Sequence, residues 1–368
     1  MERSTGEEMT QFNHDRRTGA ATPPPVWNGP APLLRQLLRY ASLAPSRHNS
    51  QPWLFEIEGP EARVYADPRR ALRAADADGR EMVLSCAAAM ENLRLAVRHA
   101  GRAATMELLA SRAGGIVARL RVDEPRPAEA DEELLFGAVA SRRTNRFAFE
   151  ERELPEGLVA RLVRDAADAG TTLRVVEGHA RRAVAELVAE ADRAQWARPR
   201  FRAELAAWTR AGDSRAGDGI PGYARGLGET ASILERLLVR FAGHGGPEER
   251  RDRQHLLHTP SLLALCTKGD GPRDWAAAGV AFERVLLRAA SQGLASSYFS
   301  AVIEVGPARS RLREVLGETG WPQVLFRVGY GPYVRATPRR PLELVLRAFR
   351  PDAPASNALA QRFEGSHG

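Results

Sequence analysis

The stretch ASLAPSRHNSQPWLF, Ala41 to Phe55, joins the end of a helix to the start of a strand. Leucines recur at helical spacing over residues 33–38, just before it. Pro45 ends that helix because it lacks a backbone N–H group and restricts the residue that precedes it. Hydroxyl and amide side chains then follow, in Ser46, Asn49 and Gln51. Since backbone N–H groups are also free at such a turn, the stretch predicts a site for a polar, planar ligand.

The chain has 368 residues, of which 43% are hydrophobic, so it is long enough for two domains or for two similar halves. It contains no run of eighteen apolar residues that could span a bilayer. We expect residues 1–29 to form a disordered tail without an export signal, and residues 350–368 to form a flexible tail. Cys86 and Cys266 lie in apolar runs, where buried, reduced thiols are typical. The expected location is therefore the cytoplasm.

The net charge of +7 raises the question of a nucleic-acid partner. Every positive side chain except Lys268 is an arginine, and the arginines alternate with acidic residues instead of forming one stripe. A solvated basic surface is the more common meaning of this pattern. We therefore expect neither a nucleic-acid nor a membrane partner, and keep nucleic-acid binding only as a weaker rival reading.

Hydrophobic periodicity predicts an α+β protein with a central sheet clad by helices. The predicted helices cover residues 32–44, 79–99, 131–141, 155–169 and 272–291. The predicted strands cover residues 54–57, 63–66, 104–108, 116–122, 172–176, 261–267 and 322–328. A polar stretch at residues 123–130 predicts a hinge between an N-terminal half, 30–122, and a C-terminal half, 131–349. The glycine-rich residues 211–229 predict a mobile loop.

Two arginine-rich segments are candidates for binding phosphate, since a guanidinium group makes forked bonds with phosphate oxygens. The first contains Arg142, Arg143, Thr144 and Arg146, and the second is the pair Arg339 and Arg340 between two prolines. Solvated loops explain both segments equally well. The segment with Tyr298, Phe299 and Ser300 offers backbone donors to the edge of a ring, although a core strand is the commoner meaning of such residues.

Several chemistries are disfavoured by the absence of their motifs. His255 and His258 lack a third ligand for a metal ion, and we predict no metal site. The chain has no phosphate-binding Gly-Lys-Ser/Thr loop, no GxGxxG turn after a strand and no GxSxG elbow. Neither cysteine has a nearby base in the sequence. Because the chain offers so few acids, bases or nucleophiles, a cofactor would have to carry the chemistry.

The segment Ala44 to Trp53 closely resembles the APSxxNxQPW motif of the flavin-dependent nitroreductases. Together with the arginine-rich segments, in the same order, the chain resembles the Acg-like branch, in which two nitroreductase-type halves are fused and mimic a homodimer. The resemblance implies a mostly antiparallel sheet flanked by helices, in two pseudo-symmetric halves. It leaves open whether the chain is a monomer or pairs further as a homodimer.

The resemblance also implies one FMN in a cleft between the halves. The residues that would approach the flavin ring and ribityl chain from the first half are Pro45, Ser46, Arg47, Asn49 and Gln51. Those that would bind the phosphate and the ribityl hydroxyls from the second half are Arg142, Arg143, Thr144 and Arg146. Tyr298, Phe299 and Ser300 would line the reactive edge of the ring, and Arg339 with Arg340 would complete the phosphate clamp. Thr144 stands where many relatives have serine.

The expected function is that of an FMN-dependent oxidoreductase of nitroreductase type. NAD(P)H would donate hydride to the flavin, and a small-molecule acceptor such as a nitroaromatic compound, a quinone or a biosynthetic intermediate would receive it. No side chain is assigned as an acid or a base. The alternative is a protein that binds and sequesters FMN without appreciable turnover, because the loop at residues 211–229 resembles a lid that restricts access in this branch.

Overall fold

The computed structural model of the protein describes residues 29–109, 114–211, 214, 216–226, 239–240, 245–318 and 320–348. The predicted tails at residues 1–28 and 350–368 lie outside the described residues. So do residues 212, 213, 215 and 227–229 of the predicted loop. Among the described helices, none combines the length and apolar character that crossing a membrane requires.

The first part of the chain forms a four-stranded antiparallel sheet with two helices. The helices are α1 (Pro30–Ala41) and α2 (Arg80–His99), and a short 3₁₀ turn, Arg47–Asn49, follows α1. The strands are β1 (Trp53–Glu58), β2 (Glu61–Ala66), β3 (Arg102–Leu108) and β4 (Ile116–Pro125). They pair in the order β1-β2-β4-β3. Alternate residues of β2 are buried, as expected for a sheet with one face on the core.

The second part of the chain forms another four-stranded antiparallel sheet. The helices are α3 (Ala130–Val139), α4 (Leu158–Ala167), α5 (Gly178–Ala197), α6 (Pro199–Trp208), α7 (Gly245–Leu257), α8 (Pro272–Ser291), α9 (Ala301–Glu304) and α10 (Gly306–Val315). The strands are β5 (Thr172–Val175), β6 (Thr209–Arg210), β7 (Ile220–Pro221), β8 (Ser261–Thr267), β9 (Ala295–Tyr298) and β10 (Trp321–Gly329). The sheet order is β5-β8-β10-β9, and β6 and β7 form a separate parallel pair.

The α+β class and the antiparallel pairing predicted from the sequence are confirmed. Strand β8 and helix α8 have the predicted bounds, 261–267 and 272–291. The strands are divided between two four-stranded sheets, which is a finding beyond the predicted central sheet. The helix predicted at 155–169 is shorter, Leu158–Ala167, because Gly157 and Gly170 at its ends have φ values of 72° and 76°.

Helices α2 and α8 are the two long central helices, and they pack directly on each other. Nearly the whole of α2 is buried, which explains its run of small residues, Cys86 to Ala89. A Cβ atom at Gly279 of α8 would lie 2.9 Å from the Ala87 Cβ and closer still to the Leu84 carbonyl oxygen. Since no side chain fits at Gly279, the two helices reach this separation only with glycine there.

The last described segment of the chain returns to the first sheet. The Phe55 N–H donates to the Val345 carbonyl at 2.7 Å, and the Arg347 N–H donates to the Phe55 carbonyl at 2.8 Å. The side chain of Val345 is fully buried in the core that the first sheet forms with α1 and α2. This segment, around Val345 to Arg347, therefore covers the β1 edge of the first sheet.

Candidate functional site

The turn after α1 has a strained backbone. His48, Asn49 and Gln51 have φ values of 52°, 53° and 49°, a region that costs a residue with a side chain about 1–3 kcal/mol. The Gln51 N–H donates to the Ser46 hydroxyl at 2.9 Å, and the Asn49 N–H donates to the Ser46 carbonyl at 2.9 Å. Ser46 thus holds the turn in this shape.

The first cavity, which we call the aromatic chamber, lies between this turn, helices α2 and α8, and strands β9 and β10. It is lined by Pro45, Ser46, Arg47, His48, Glu81, Leu84, Ser85, Thr144, Arg146, Phe282, Ser297, Tyr298, Phe299, Ser300, Ile303, Gln323, Val324 and Leu325. The rings of Phe282 and Tyr298 meet edge to face, with centroids 5.2 Å apart. The Thr144 hydroxyl donates to the Tyr298 hydroxyl at 3.0 Å. A planar group in this chamber would have aromatic contacts on one side and polar contacts on the other.

The second cavity, the arginine chamber, adjoins the first. Its lining includes five arginines, namely Arg142, Arg143, Arg146, Arg335 and Arg339, together with Asn49 and Thr337. Four residues line both chambers: Pro45, Ser46, Thr144 and Arg146. The two chambers are therefore neighbouring parts of one cleft, with ring-binding chemistry in one part and anion-binding chemistry in the other.

Arg339 holds the end of α1 and the turn together. It donates through Nε to the Ser42 carbonyl at 2.7 Å, through Nη2 to the Leu43 carbonyl at 3.0 Å, and through Nη1 to the Asn49 Oδ1 at 3.1 Å. Burial, with the positive charges of Arg142 and Arg143 nearby, lowers its pKa to about 9. Because Arg142, Arg143 and Arg339 line one chamber, their positive charges would stabilise an anion such as phosphate.

Part of the glycine-rich loop packs against the turn. The Gln51 side chain donates to the Gly217 carbonyl at 2.7 Å, and the Asn49 side chain donates to the Gly219 carbonyl at 3.1 Å. Asp218 forms ion pairs with Arg70 and Arg210, the latter at 2.9 Å. Ile220 and Ala224 line the arginine chamber. The described part of the loop thus forms one wall of the cleft.

The structure brings most of the predicted site residues to the cleft. Those at the aromatic chamber are Pro45, Ser46, Arg47, Thr144, Arg146, Tyr298, Phe299 and Ser300. Those at the arginine chamber are Pro45, Ser46, Asn49, Arg142, Arg143, Thr144, Arg146 and Arg339. Their roles toward a ligand stay predictions.

Gln51 and Arg340 line neither chamber. The Gln51 Oε1 accepts a hydrogen bond from the Arg340 N–H at 2.9 Å, and the Gln51 carbonyl accepts one from the Arg340 guanidinium at 3.1 Å. Arg340 lies in a separate depression with Arg70 and Asp218. Both residues therefore support the turn and the loop from behind the cleft.

Sequence reasoning missed several residues of the cleft, above all His48, Glu81, Phe282 and Gln323. His48 is buried, and burial together with Arg47, Arg146 and Arg225 holds its pKa well below the usual 6.5, so the ring is neutral. Glu81 and Phe282 lie within helices whose periodicity predicts core packing alone. The sequence feature that could have identified Glu81 as a cleft residue is its charge, directly before the apolar run of α2.

The model of the nitroreductase family matches residues 139–330 of the chain. The protein called "Putative NAD(P)H nitroreductase Rv3131" of Mycobacterium tuberculosis is 31% identical over 322 residues, which cover 86% of this chain and 91% of the relative. "Putative NAD(P)H nitroreductase acg" of the same organism is 29% identical over 331 residues, covering 87% of this chain and 97% of the relative.

The chain also has a likeness to the solved FMN-dependent nitroreductase NfnB from Mycobacterium smegmatis in complex with NADPH. The identity is 19%, the alignment covers 59% of this chain and 99% of that chain, and the TM-score is 0.39.

Proposed function

The chain belongs to the nitroreductase family, and from this premise we propose that it is an FMN-dependent oxidoreductase that passes hydride from NAD(P)H to a small acceptor. The observation that carries the proposal is the cleft with an aromatic and an arginine chamber side by side. An isoalloxazine ring needs apolar and aromatic contact, whereas a phosphate needs paired guanidinium groups. Because the two chambers share four lining residues, one FMN could occupy both of them.

The residues present fit this cofactor. The three positive charges of Arg142, Arg143 and Arg339 exceed the one negative charge that Glu283, a buried carboxyl group beside them, can supply. Glu283 lies 3.6 Å from the Arg142 Nε and makes no hydrogen bond to it. A phosphate would supply the missing negative charge without changing the fold.

FMN, when bound, supplies the hydride-accepting and hydride-donating ring, and the chain supplies position and electrostatics. Arg143 and Arg339 bind the phosphate, and Thr144 and Asn49 bind the polyhydroxyl chain between the chambers. Phe282 and Tyr298 exclude water from one side of the ring. The hydroxyl of Ser300, which lines the aromatic chamber, would donate a hydrogen bond to negative charge at the ring edge.

Small-molecule substrates and a cytoplasmic location complete the proposal. The location is supported by the two cysteines, Cys86 and Cys266, which are free and buried. The acceptor, whether a nitroaromatic compound, a quinone or a biosynthetic intermediate, reaches the aromatic chamber in this proposal.

A second candidate function is sequestration of FMN without appreciable turnover. It is favoured by the contacts of Gly217 and Gly219 with the turn, which place the described part of the loop against the cleft. Both candidates require FMN, and they differ in whether NADPH reduces it.

The test is an FMN titration of flavin-free protein, followed by anaerobic addition of NADPH. We expect one FMN to bind per chain and its visible absorbance to be bleached by NADPH. Protein that regains no flavin absorbance would overturn the cofactor assignment. Bound FMN that NADPH does not bleach would favour sequestration.

A matched pair of variants tests the phosphate assignment within the same titration. Arg143→Gln removes a guanidinium group from the arginine chamber and should weaken FMN binding about tenfold or more, because a charge-assisted hydrogen bond contributes roughly 1.5–3 kcal/mol. Arg340→Gln removes an arginine outside both chambers and should change FMN affinity by less than about threefold. Equal losses in the two variants would contradict the placement of the phosphate.

A further inference from the structure

A buried carboxyl group lies directly behind the arginine chamber. Glu283 of α8 is fully buried and is not part of the chamber lining. Its Oε1 is 3.6 Å from the Nε of Arg142, and Arg142 is a lining residue. The Arg142 Nη2 donates to the Leu43 carbonyl at 2.8 Å, which holds this guanidinium group just past the end of α1. Glu283 therefore acts on the chamber through Arg142.

Polar atoms at this contact lack hydrogen bonds. Within the part of the chain that the structure describes, both carboxyl oxygens of Glu283 and the Arg142 Nε are buried without a hydrogen-bond partner. The Asn92 side chain of α2 lies close to Glu283, but its amide meets the geometry of a hydrogen bond with neither oxygen. A buried carboxylate without hydrogen bonds is poorly stabilised, so a protonated carboxyl group competes with it.

The charged groups that act on Glu283 come from α2 and from two segments that line the arginine chamber. Arg142, after α3, and Arg339, in the last described segment, favour the carboxylate. Glu91 of α2, which two arginines hold ionised, disfavours it. Burial outweighs both arginines and raises the pKa of Glu283 to about 7. A change in the charge near Arg142 would therefore change the protonation of Glu283 at neutral pH.

We propose that Glu283 is a positioning residue of the phosphate site, which balances the charge of Arg142 in the flavin-free protein and takes up a proton when FMN binds. This inference rests on the proposed function, which assigns the phosphate to the arginine chamber. Negative charge on the chamber side of Arg142 disfavours a second negative charge behind it. Once Glu283 is protonated, no carboxylate competes with the phosphate for the Arg142 guanidinium group.

The exchange balances without any transfer of electrons. Solvent supplies one proton, and an O–H bond forms on the Glu283 carboxyl group as FMN binds. Because binding and protonation are linked, each favours the other by the same factor. Below pH 7 Glu283 already carries the proton, so binding costs nothing more. Above pH 7 the proton must be taken up against an increasing cost, and the Kd for FMN should rise with pH.

The first test counts protons by isothermal titration calorimetry of the flavin-free full chain with FMN at pH 8. At this pH the FMN phosphate is already a dianion, since its second pKa is about 6, and most Glu283 is ionised. Titrations in HEPES and in Tris, which differ in ionisation enthalpy, should show an uptake of about 0.5 proton or more per FMN. Glu283→Gln should take up fewer than about 0.1 proton.

The second test compares the Kd for FMN in variants at pH 6 and pH 8. Because proteins are compared at the same pH, protonation of the FMN phosphate cancels. Glu283→Gln should match the unmodified protein within about twofold at pH 6 and bind FMN about tenfold more tightly at pH 8. Glu56→Gln, at a buried glutamate of β1 outside both chambers, is the matched control and should behave as the unmodified protein does.

Riboflavin, which lacks the phosphate, shows whether the proton uptake belongs to the phosphate site. The unmodified protein should take up fewer than about 0.1 proton when it is titrated with riboflavin at pH 8. This comparison needs no variant, so it decides the question even if Glu283→Gln does not fold.

The outcomes are distinguishable. Failure of the unmodified protein to bind FMN would overturn the proposed function. Binding of FMN without proton uptake would overturn the role of Glu283 alone. Equal affinities of Glu283→Gln and the unmodified protein at pH 8 would do the same, as would equal proton uptake with riboflavin and with FMN.

Discussion

At the scale of single residues, two buried glutamates at the α2–α8 interface have opposite acidities. Glu91 accepts from Arg94 at 2.9 Å and from Arg284 at 2.7 Å. Burial alone would raise the pKa of Glu91, but these two arginines outweigh burial and lower it to about 2. At Glu283 burial dominates and raises the pKa to about 7, because Arg142 at 3.6 Å, with Asn92 and Arg339, opposes it only in part. Because both side chains are fully buried, the difference between their pKa values comes from the geometry of their arginine partners.

The Glu283→Gln substitution should therefore change stability in a pH-dependent manner. A raised folded-state pKa contributes stability that is present below the unfolded-state pKa and is lost as the pH rises through about 7. Glutamine does not titrate. From pH 5 to pH 8 the free energy of unfolding of the variant should therefore rise by about 2 kcal/mol relative to that of the unmodified protein. Urea unfolding of the flavin-free protein at both pH values measures this gain.

Glu91→Gln is the control for this measurement. Its folded-state pKa of about 2 places its titration below pH 5, so its destabilisation, about 3 kcal/mol, should be the same at pH 5 and pH 8. A gain for Glu283→Gln that does not depend on pH would show that Glu283 is ionised throughout this range.

At the scale of elements, the packing of α8 on α2 depends on small residues at helical spacing. Ala276 and Gly279 lie three residues apart on one face of α8, and Glu283 follows on the same face four residues later. Gly279 is the closest point, because the backbone of α2 at Leu84 occupies the place of a side chain. The position of Glu81 and of Phe282 at the aromatic chamber follows from this close approach, since they lie on these two helices.

Gly279→Ala should destabilise the protein by about 1–3 kcal/mol, because the added methyl group forces two buried helices apart. Gly137→Ala is the matched control. Gly137 lies within α3, and a Cβ atom there meets nothing within 4 Å, so this change should stabilise by up to about 1 kcal/mol. Thermal unfolding of both variants measures the difference, and equal melting temperatures would contradict the packing described.

At the scale of the whole molecule, the segment from Arg339 to Arg347 connects the cleft with the first sheet. Arg339 binds the carbonyl groups at the end of α1, and a few residues later Val345 pairs with β1 and enters the first core. The second part of the chain thus supplies both a cleft residue and an edge to the first sheet. We expect the two sheets to lose structure together.

Val345→Asp should destabilise the entire chain by about 3 kcal/mol, since it places an unpaired carboxylate in a core. Leu344→Asp, at a neighbour that is 59% exposed, should change stability by less than about 0.5 kcal/mol. Hydrogen exchange with mass spectrometry should show that peptides of both sheets lose protection in Val345→Asp. Loss confined to residues 332–348 would indicate that the sheets unfold independently.

The sequence predicted the elements and most of the cleft. The predicted bounds of β8 and α8 are confirmed. A run of apolar residues predicts β8, apolar residues at helical spacing predict α8, and both patterns end at glycine, proline or polar residues. Most of the predicted site residues line the cleft, whereas Gln51 of the turn does not, and their roles toward FMN stay predictions. Arg340 was grouped with Arg339, yet adjacent residues in an extended segment point in opposite directions, and only Arg339 faces the cleft.

The sequence by itself determined the class of the fold, the family and the identity of the polar turn, because these depend on local spacing and on motifs that occupy neighbouring positions. Only the tertiary structure placed Glu81, Arg47 and Glu304 together, and only it gave Glu91 and Glu283 opposite acidities. The physical reason is that charge interactions depend on distance and burial, and both are set by the packing of helices that are far apart in the chain.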